Sequence, residues 1–136
     1  MGNHEKTKLS KKNKYYISQH RYLELKHFCL QYKEWAEELQ SLRFQGGGGE
    51  EIHADPQFSD PTAGYALRMV ELKKNIEMIR DSAQETDGVL FKYILIAVTE
   101  ERSYTYLREV MNIPCCKDMF YENYRRFFWI LSAKRR

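Results

Sequence analysis

The stretch "YTYLREVMNIPCCKDMFYENYRRFF", residues 104–128, contains two helical patterns separated by an Asn-Ile-Pro turn and two adjacent cysteines. Ser103 is a suitable cap for the first helix. Asn112 stands where the chain must turn, and asparagine tolerates the left-handed backbone conformation. Pro114 cannot continue the first helix but can stand at the entrance to the second. The stretch therefore predicts two helices joined by a tight turn.

Each of these two helices has one apolar face. The first is predicted to bury Tyr104, Leu107, Val110 and Met111. The second is predicted to bury Phe120, Tyr124, Phe127, Phe128 and Leu131. Its opposite face carries a basic and aromatic stripe at every fourth residue, Lys117, Tyr121 and Arg125. A buried helix at residues 89–98, followed by a polar turn at 99–102, precedes both and completes a three-helix unit.

Two longer helical patterns precede this unit. In residues 18–42, apolar side chains recur at spacings of three and four and define one face of a helix. Asp60, Pro61 and Gly88 are the residue types expected at the cap, first position and end of a second helix. Two seams of similar length separated by a loop favour an antiparallel helical hairpin. The same apolar faces could instead form part of the interface between two copies of the chain.

The connection between the long helices, residues 45–59, is rich in glycine. A phosphate-binding loop needs Lys and Ser or Thr after its glycines, whereas here they run into Glu50 and Glu51. Gly46–Gly49 is therefore interpreted as a flexible linker. The predicted organisation is all-α: a basic flexible tail at 1–14, a long antiparallel helical hairpin at 15–87, and a three-helix helix-turn-helix module at 88–136.

The net charge of +3 conceals an uneven distribution. Residues 1–14 have five basic and one acidic side chain, residues 15–102 have ten and fifteen, and residues 103–136 have seven and three. Both ends are basic and the middle is acidic. A basic module is what a polyanionic partner such as DNA requires, because Lys and Arg displace counterions from phosphates. A lysine-rich tail can equally be a solvated, disordered segment.

The three cysteines and four histidines do not have the spacing of a zinc site, so no metal or other cofactor is expected. Cys29 lies on a helix seam and is interpreted as a small buried hydrophobe. Cys115 and Cys116 are predicted in the first turn of the last helix, where a lowered thiol pKa would allow a redox switch. No histidine follows His53, so a nucleophilic cysteine would lack a base, and no enzymatic activity is expected.

The longest apolar run, residues 89–98, is too short to cross a bilayer and includes Lys92. The basic amino terminus lacks the apolar core of a secretory signal. We therefore expect a cytoplasmic protein.

The segments "SDPTAGYALRMVELKKNIEMI" and "LFKYILIAVTEERSYTYLREVMNIPCCKDMFYENYRRFF" together resemble small phage regulators of the RinA and ArpU type. The resemblance covers about residues 58–131. It implies an amphipathic helix that starts at Asp-Pro-Thr and a carboxy-terminal module similar to the promoter-reading domain of sigma factors. It also implies transcriptional control of late or packaging genes in a bacterial host cell, with the last helix reading DNA.

The leading hypothesis is a regulator that binds double-stranded DNA, with RNA polymerase, another protein or a second copy of the chain as further candidate partners. A recognition helix must enter the major groove while basic side chains hold phosphates. The residues predicted to contact DNA are Lys117, Tyr121, Arg125, Arg126, Lys134, Arg135 and Arg136. The alternative is a phage accessory protein that binds another protein, such as a host-defence inhibitor of the anti-CRISPR kind or a packaging adaptor. Exposed Tyr121 and Trp129 would then anchor the interface.

Overall fold

The computed structural model describes residues 11–47 and 61–136, which contain six α-helices and no β-strand. The helices are α1 Gln19–Leu30, α2 Tyr32–Gly47, α3 Pro61–Thr86, α4 Phe91–Glu100, α5 Tyr104–Met111 and α6 Lys117–Lys134. The predicted all-α class is therefore confirmed for the described residues. Most of the predicted tail, most of the glycine-rich loop and Asp60 lie outside them.

The chain divides into two compact units. The larger unit comprises residues 1–31 and 78–136, and the smaller unit comprises residues 32–77. The larger unit thus includes α1 and the last residues of α3 together with α4, α5 and α6. This grouping differs from the predicted division between residues 87 and 88, which assigned α1 and all of α3 to a hairpin. The hairpin itself stays a prediction.

The first long helix is interrupted where the sequence predicted a continuous helix. α1 ends at Leu30, and the N–H of Gln31 donates to the carbonyl of Phe28 at 3.3 Å, in a bond to the third residue back. Gln31 keeps a right-handed helical conformation, with φ −85° and ψ −5°. The prediction of a single helix over residues 18–42 is therefore wrong. The turn could not be seen in the sequence, because no glycine or proline marks it and the apolar spacing continues across it.

The boundaries of the middle helices also differ from those predicted. α2 continues through Gly46 and Gly47, so the linker prediction is wrong at these two residues, because an existing helix loses only about 1 kcal/mol at a glycine. Thr99 was assigned to a polar turn but lies in α4, buried, and its hydroxyl donates to the carbonyl of Leu95 at 2.7 Å. This internal hydrogen bond lets a polar residue continue the helix. α4 ends instead at Glu100, and its C-cap residue, Glu101, has a left-handed φ of 57°.

The larger unit has one apolar core, to which all five of its helical segments contribute. α1 packs against α4 and α6, and α4 also contacts α5 and α6. The apolar residues that are at most 2% exposed in this unit are Leu25, Cys29, Ile79, Ala83, Ile94, Leu107, Phe120, Phe127, Phe128 and Leu131. Burial of each large apolar side chain stabilises the folded state by roughly 1.5–3 kcal/mol.

The smaller unit contains an ion pair between α2 and α3. The guanidinium of Arg68 donates two hydrogen bonds to the carboxylate of Glu38, at 2.8 and 2.9 Å, and a third to Glu71 at 3.0 Å. The hydrogen bonds from Arg68 hold the pKa of Glu38 below its usual value. Trp35, Leu39 and Leu72 are buried in this unit.

Arg21 holds the carboxy-terminal end of α6. Its guanidinium donates to the hydroxyl and the carbonyl of Ser132, both at 3.0 Å, and to the carbonyl of Arg135 at 2.9 Å. It also pairs with Glu24 at 2.8 Å. The last carbonyls of a helix have no partner within the helix, so a charged donor from α1 stabilises this end.

We expect Arg21→Ala to lower the free energy of unfolding by about 1–3 kcal/mol, because the carbonyls of Ser132 and Arg135 lose a charged donor. Urea denaturation followed by circular dichroism measures the change. Arg108→Ala is the matched control, since its exposed guanidinium makes no hydrogen bond to any described residue. Equal midpoints for the two variants would contradict the assigned role of Arg21.

Candidate nucleic-acid interface

The connection between α5 and α6 is determined by local hydrogen bonds. The hydroxyl of Ser103 accepts from the N–H of Tyr106 at 3.2 Å, which confirms the predicted cap. Asn112 ends α5 with φ 54° and ψ 49°, which confirms the predicted left-handed turn. The N–H of Ile113 then reaches the carbonyl of Leu107 at 3.1 Å, and the Ile113 side chain is buried. Both ends of α5 are therefore determined by the residues that cap it, Ser103 and Asn112.

α6 starts later than predicted. Cys116 is its cap residue and Lys117 its first helical residue, so the prediction that both cysteines lie in its first turn is wrong. The carbonyl of Cys115 accepts a hydrogen bond from the hydroxyl of Tyr104 at 2.7 Å, which holds Cys115 in the turn before the helix. Cys116 is exposed, and its side chain makes no capping hydrogen bond to the α6 amides.

The cysteines have different environments. Burial raises the pKa of Cys29, which agrees with its interpretation as a buried apolar residue. Burial, with smaller effects from Cys116 and Asp87, also raises the pKa of Cys115. A raised pKa disfavours the reactive thiolate, so Cys115 does not have the environment that the redox hypothesis required. The described residues contain no group of three or more metal-ligating side chains.

The predicted outward stripe of α6 is wrong at Tyr121. Its side chain is only 6% exposed, and its ring packs edge-on against Phe120 with centroids 4.9 Å apart. The apolar face of α6 is wider than the stripe of five residues predicted from spacing, so it includes Tyr121. α5 shows the opposite error, because Val110 was predicted to be buried and is 62% exposed.

Three more of the predicted DNA contacts are engaged in the fold. Arg126 donates to the carbonyl of Thr86 at 2.9 Å, at the end of α3. Lys134 pairs with Glu85 at 2.6 Å. The guanidinium of Arg135 lies over the ring of Phe28, 4.0 Å from its centroid. These cations satisfy groups of the larger unit, so an additional role on phosphates would compete with those contacts.

The remaining predicted contacts differ in exposure. Lys117 and Arg136 are exposed. Arg125 is half-buried, and its Nε is buried without a hydrogen-bond partner among the described residues. Lys117 therefore combines exposure with a position at the start of α6.

An open pocket of about 540 Å³ lies at the α5–α6 turn. It is lined by Tyr104, Thr105, Arg108, Glu109, Cys116 and Lys117. Arg108 and Thr105 were not among the predicted contacts, because all of those contacts lie on the last helix or directly after it. Their outward position could have been found from the spacing of α5, since Arg108 follows the buried Leu107 by one residue. Two cations and one carboxylate give the pocket a positive balance.

The two units also differ in charge. Counted along the whole sequence, residues 1–31 and 78–136 have 17 basic and 10 acidic side chains, whereas residues 32–77 have 5 and 9. The larger unit, which contains the pocket, is therefore basic, and the smaller unit is acidic. A polyanion would be attracted to the first and repelled by the second.

Comparisons with models of known families, with curated proteins and with solved structures find no match to this chain. Among the described residues, no helix has the length and apolar character needed to span a membrane.

The turn can be tested through Asn112. We expect Asn112→Ala to lower the free energy of unfolding by about 1–2 kcal/mol, because alanine is strained in the left-handed conformation, which asparagine adopts more readily. Asn112→Gly should leave stability nearly unchanged, since glycine adopts this conformation freely. Thermal and urea unfolding measure both variants. If the alanine variant were as stable as the glycine variant, the backbone conformation assigned to the turn would be wrong.

Proposed function

We propose that this protein binds double-stranded DNA through the α5–α6 turn and the first turns of α6. The observation that carries the proposal is the open pocket at this turn, where Arg108 and Lys117 come together with the hydroxyl-bearing Thr105. Arg and Lys are the usual phosphate ligands, and Thr hydroxyls also bond to phosphate oxygens. The pocket therefore suits one or more backbone phosphates.

The order and length of the helices support the same proposal. A short helix, a tight turn and a longer helix are the elements of a helix-turn-helix motif, in which the second helix enters the major groove. α5 has 8 residues and α6 has 18. The inner face of α6 packs in the core through Phe120, Phe127 and Leu131, and the opposite side of its first two turns is exposed. In such motifs the first residues of the reading helix contact the base edges.

The assignment of contacts is revised from the one that the sequence suggested. We propose Arg108, Thr105 and Lys117 as the phosphate contacts and retain Arg136 as a peripheral cation. Tyr121, Arg126, Lys134 and Arg135 are assigned to the stability of the fold. Arg125 is retained as a contact only if its half-buried side chain turns outward on binding.

The biological role that we propose is transcriptional regulation in a bacterial host, as implied by the resemblance to RinA- and ArpU-type phage regulators. Binding would recruit or exclude RNA polymerase at a promoter. The role needs no catalysis, since regulation of this kind depends on occupancy of the site alone.

We expect Arg108→Ala and Lys117→Ala each to weaken binding to duplex DNA by a similar factor for all sequences. Each variant should reduce the slope of log affinity against log salt by about 1, because one phosphate contact is lost. Fluorescence anisotropy with a labelled duplex across a salt series measures both quantities. Lys92→Ala is the matched control, since Lys92 is an exposed lysine of the larger unit that does not line the pocket.

Equal slopes for all three variants would show that DNA does not contact this pocket. Absence of salt-dependent binding by the folded wild-type protein would overturn the proposal as a whole.

A protein-binding function is the second candidate, and one observation favours it. The smaller unit exposes Phe44 by 81%, Leu67 by 72% and Val70 by 63%. Leu67 and Val70 are three residues apart on α3 and therefore share one face of the helix, and exposed apolar side chains on one face are typical of protein-binding surfaces. The anchors suggested by the sequence fit less well, because Tyr121 is buried and Trp129, 45% exposed, packs on Tyr15 with centroids 5.5 Å apart. A phage accessory protein would use the smaller unit, and failure of DNA binding would favour it.

A further inference from the structure

The pocket at the α5–α6 turn is larger than a backbone phosphate requires. Its volume of about 540 Å³ lies within the roughly 300–1,000 Å³ that is usual for small-molecule sites. A water molecule takes up about 30 Å³ of liquid volume, and a phosphate group fills the space of only a few waters. Most of the pocket therefore stays open when one phosphate is bound at Arg108 and Lys117.

One lining residue, Glu109, is not explained by contacts to duplex DNA. Its side chain is exposed in the pocket and forms no hydrogen bond or ion pair with any residue that the structure describes. An ionised carboxylate only accepts hydrogen bonds, and the phosphates and deoxyriboses within a DNA strand offer no donor. Glu109 would therefore repel the phosphates that Arg108 and Lys117 attract. A ligand that suits the whole pocket combines an anionic group with a hydrogen-bond donor.

A ribonucleoside monophosphate combines these groups in one small molecule. A phosphomonoester has about 1.5–2 negative charges at pH 7, which suits two cations better than the single charge of a diester does. The ribose hydroxyls are donors, and acidic side chains accept hydrogen bonds from ribose in other nucleotide sites. The phosphate thus suits Arg108 and Lys117, and the ribose suits Glu109.

Tyr104 supplies an aromatic wall for the base. Its hydroxyl donates to the carbonyl of Cys115 at 2.7 Å, and its ring packs on Phe120 with centroids 5.7 Å apart. These two contacts hold the ring at the edge of the pocket before a ligand binds. Every base has a face that can stack on an aromatic ring, so this wall suits any of the four nucleotides.

Building on the proposed DNA-binding function, we propose that the pocket binds a free ribonucleoside 5′-monophosphate, which competes with DNA for the same cations. Arg108, Lys117 and the hydroxyl of Thr105 hold the phosphate. The ribose hydroxyls donate to Glu109, and the base stacks on Tyr104. Nucleotide and DNA exclude each other, since both need the same cations, and the nucleotide releases the protein from DNA.

The first test is isothermal titration calorimetry of the full chain with adenosine 5′-monophosphate (AMP), adenosine and inorganic phosphate. AMP should bind at least about tenfold more tightly than either fragment, because it alone engages the cations and Glu109 together. Equal affinities for AMP and inorganic phosphate would show that the pocket holds only an anion and would overturn the inference.

Glu109→Gln separates the ribose contact from the phosphate contact. It should weaken AMP binding roughly tenfold, because hydrogen bonds to a charged acceptor are stronger than those to an amide. It should also strengthen the binding of inorganic phosphate, since a repelling charge is removed. A variant that bound both ligands more tightly would contradict the ribose contact and overturn the inference.

Glu122→Gln is the matched control, since Glu122 is an exposed glutamate of α6 that does not line the pocket. It should leave the preference for AMP over inorganic phosphate unchanged. A loss of preference as large as that of Glu109→Gln would show that charge near the turn, and not a ribose contact, sets the affinity.

The same chemical group occurs at the phosphorylated 5′ end of an RNA strand. A 5′-phosphorylated oligoribonucleotide should bind no more tightly than AMP if the ligand is the free nucleotide. A much higher affinity for the oligoribonucleotide would identify the strand end as the ligand and overturn the role of the free nucleotide.

Competition is measured by fluorescence anisotropy with a labelled duplex. AMP should displace the duplex from the wild-type protein, and adenosine should not. If DNA binding depends on Arg108 and Lys117 but AMP neither binds nor competes, this inference fails and the proposed function stands. If AMP binds with the expected dependence on Glu109 but the folded protein shows no salt-dependent binding to DNA, the proposed function fails and the nucleotide site stands.

Discussion

The aromatic contact between α1 and α6 holds these two helices together in the larger unit. The ring of Tyr22 packs edge-on against Phe128 at a centroid distance of 5.1 Å, and its hydroxyl lies 2.8 Å from that of Tyr124. Burial raises the pKa of Tyr124 well above its usual value, with a smaller contribution from Tyr22. The Tyr124 phenol therefore stays neutral, and the hydrogen bond that it shares with Tyr22 satisfies both hydroxyls in an apolar setting. Together with the hydrogen bonds of Arg21, this contact fixes α6 along the middle and end of its length.

This packing explains which cations are engaged at the carboxy-terminal end of α6 and which are exposed near its start. A helix with a wide apolar face has only a narrow exposed side, and the cations at its margins are drawn into contacts with neighbouring segments. Arg126 and Lys134 bond to the end of α3, and Arg135 lies over Phe28. The positive charge that remains exposed near the start of α6 therefore comes from Arg108 on α5 and from Lys117. A binding surface built from two adjacent helices is positioned by the core that packs both of them.

The features that depend only on residues nearby in the sequence could be predicted from it. Ser103 and Asn112 act through bonds within one helical turn of themselves, so residue type and position were sufficient. Tyr121 could not be predicted, because its burial depends on how widely the neighbouring helices cover α6, and spacing along one helix does not report that width. The turn at Gln31 was missed for a related reason. Its backbone remains right-handed, and no glycine or proline marks the place where α1 ends. The candidate site shows the same contrast, since Lys117 was found on the predicted outer face of α6 whereas Arg108 became apparent only from the pocket.

Positive and negative side chains lie on different parts of the surface around the α5–α6 turn. Arg108 and Lys117 lie in the pocket at the junction of the helices, where a phosphate contact would orient the protein without regard to sequence. Asp118 and Glu122 lie on the exposed side of α6, where negative charge lowers the affinity for any polyanion. The cations at the turn and the carboxylates on the helix therefore act in opposite directions on a polyanion, and the proposed DNA-binding function depends on the cations at the turn.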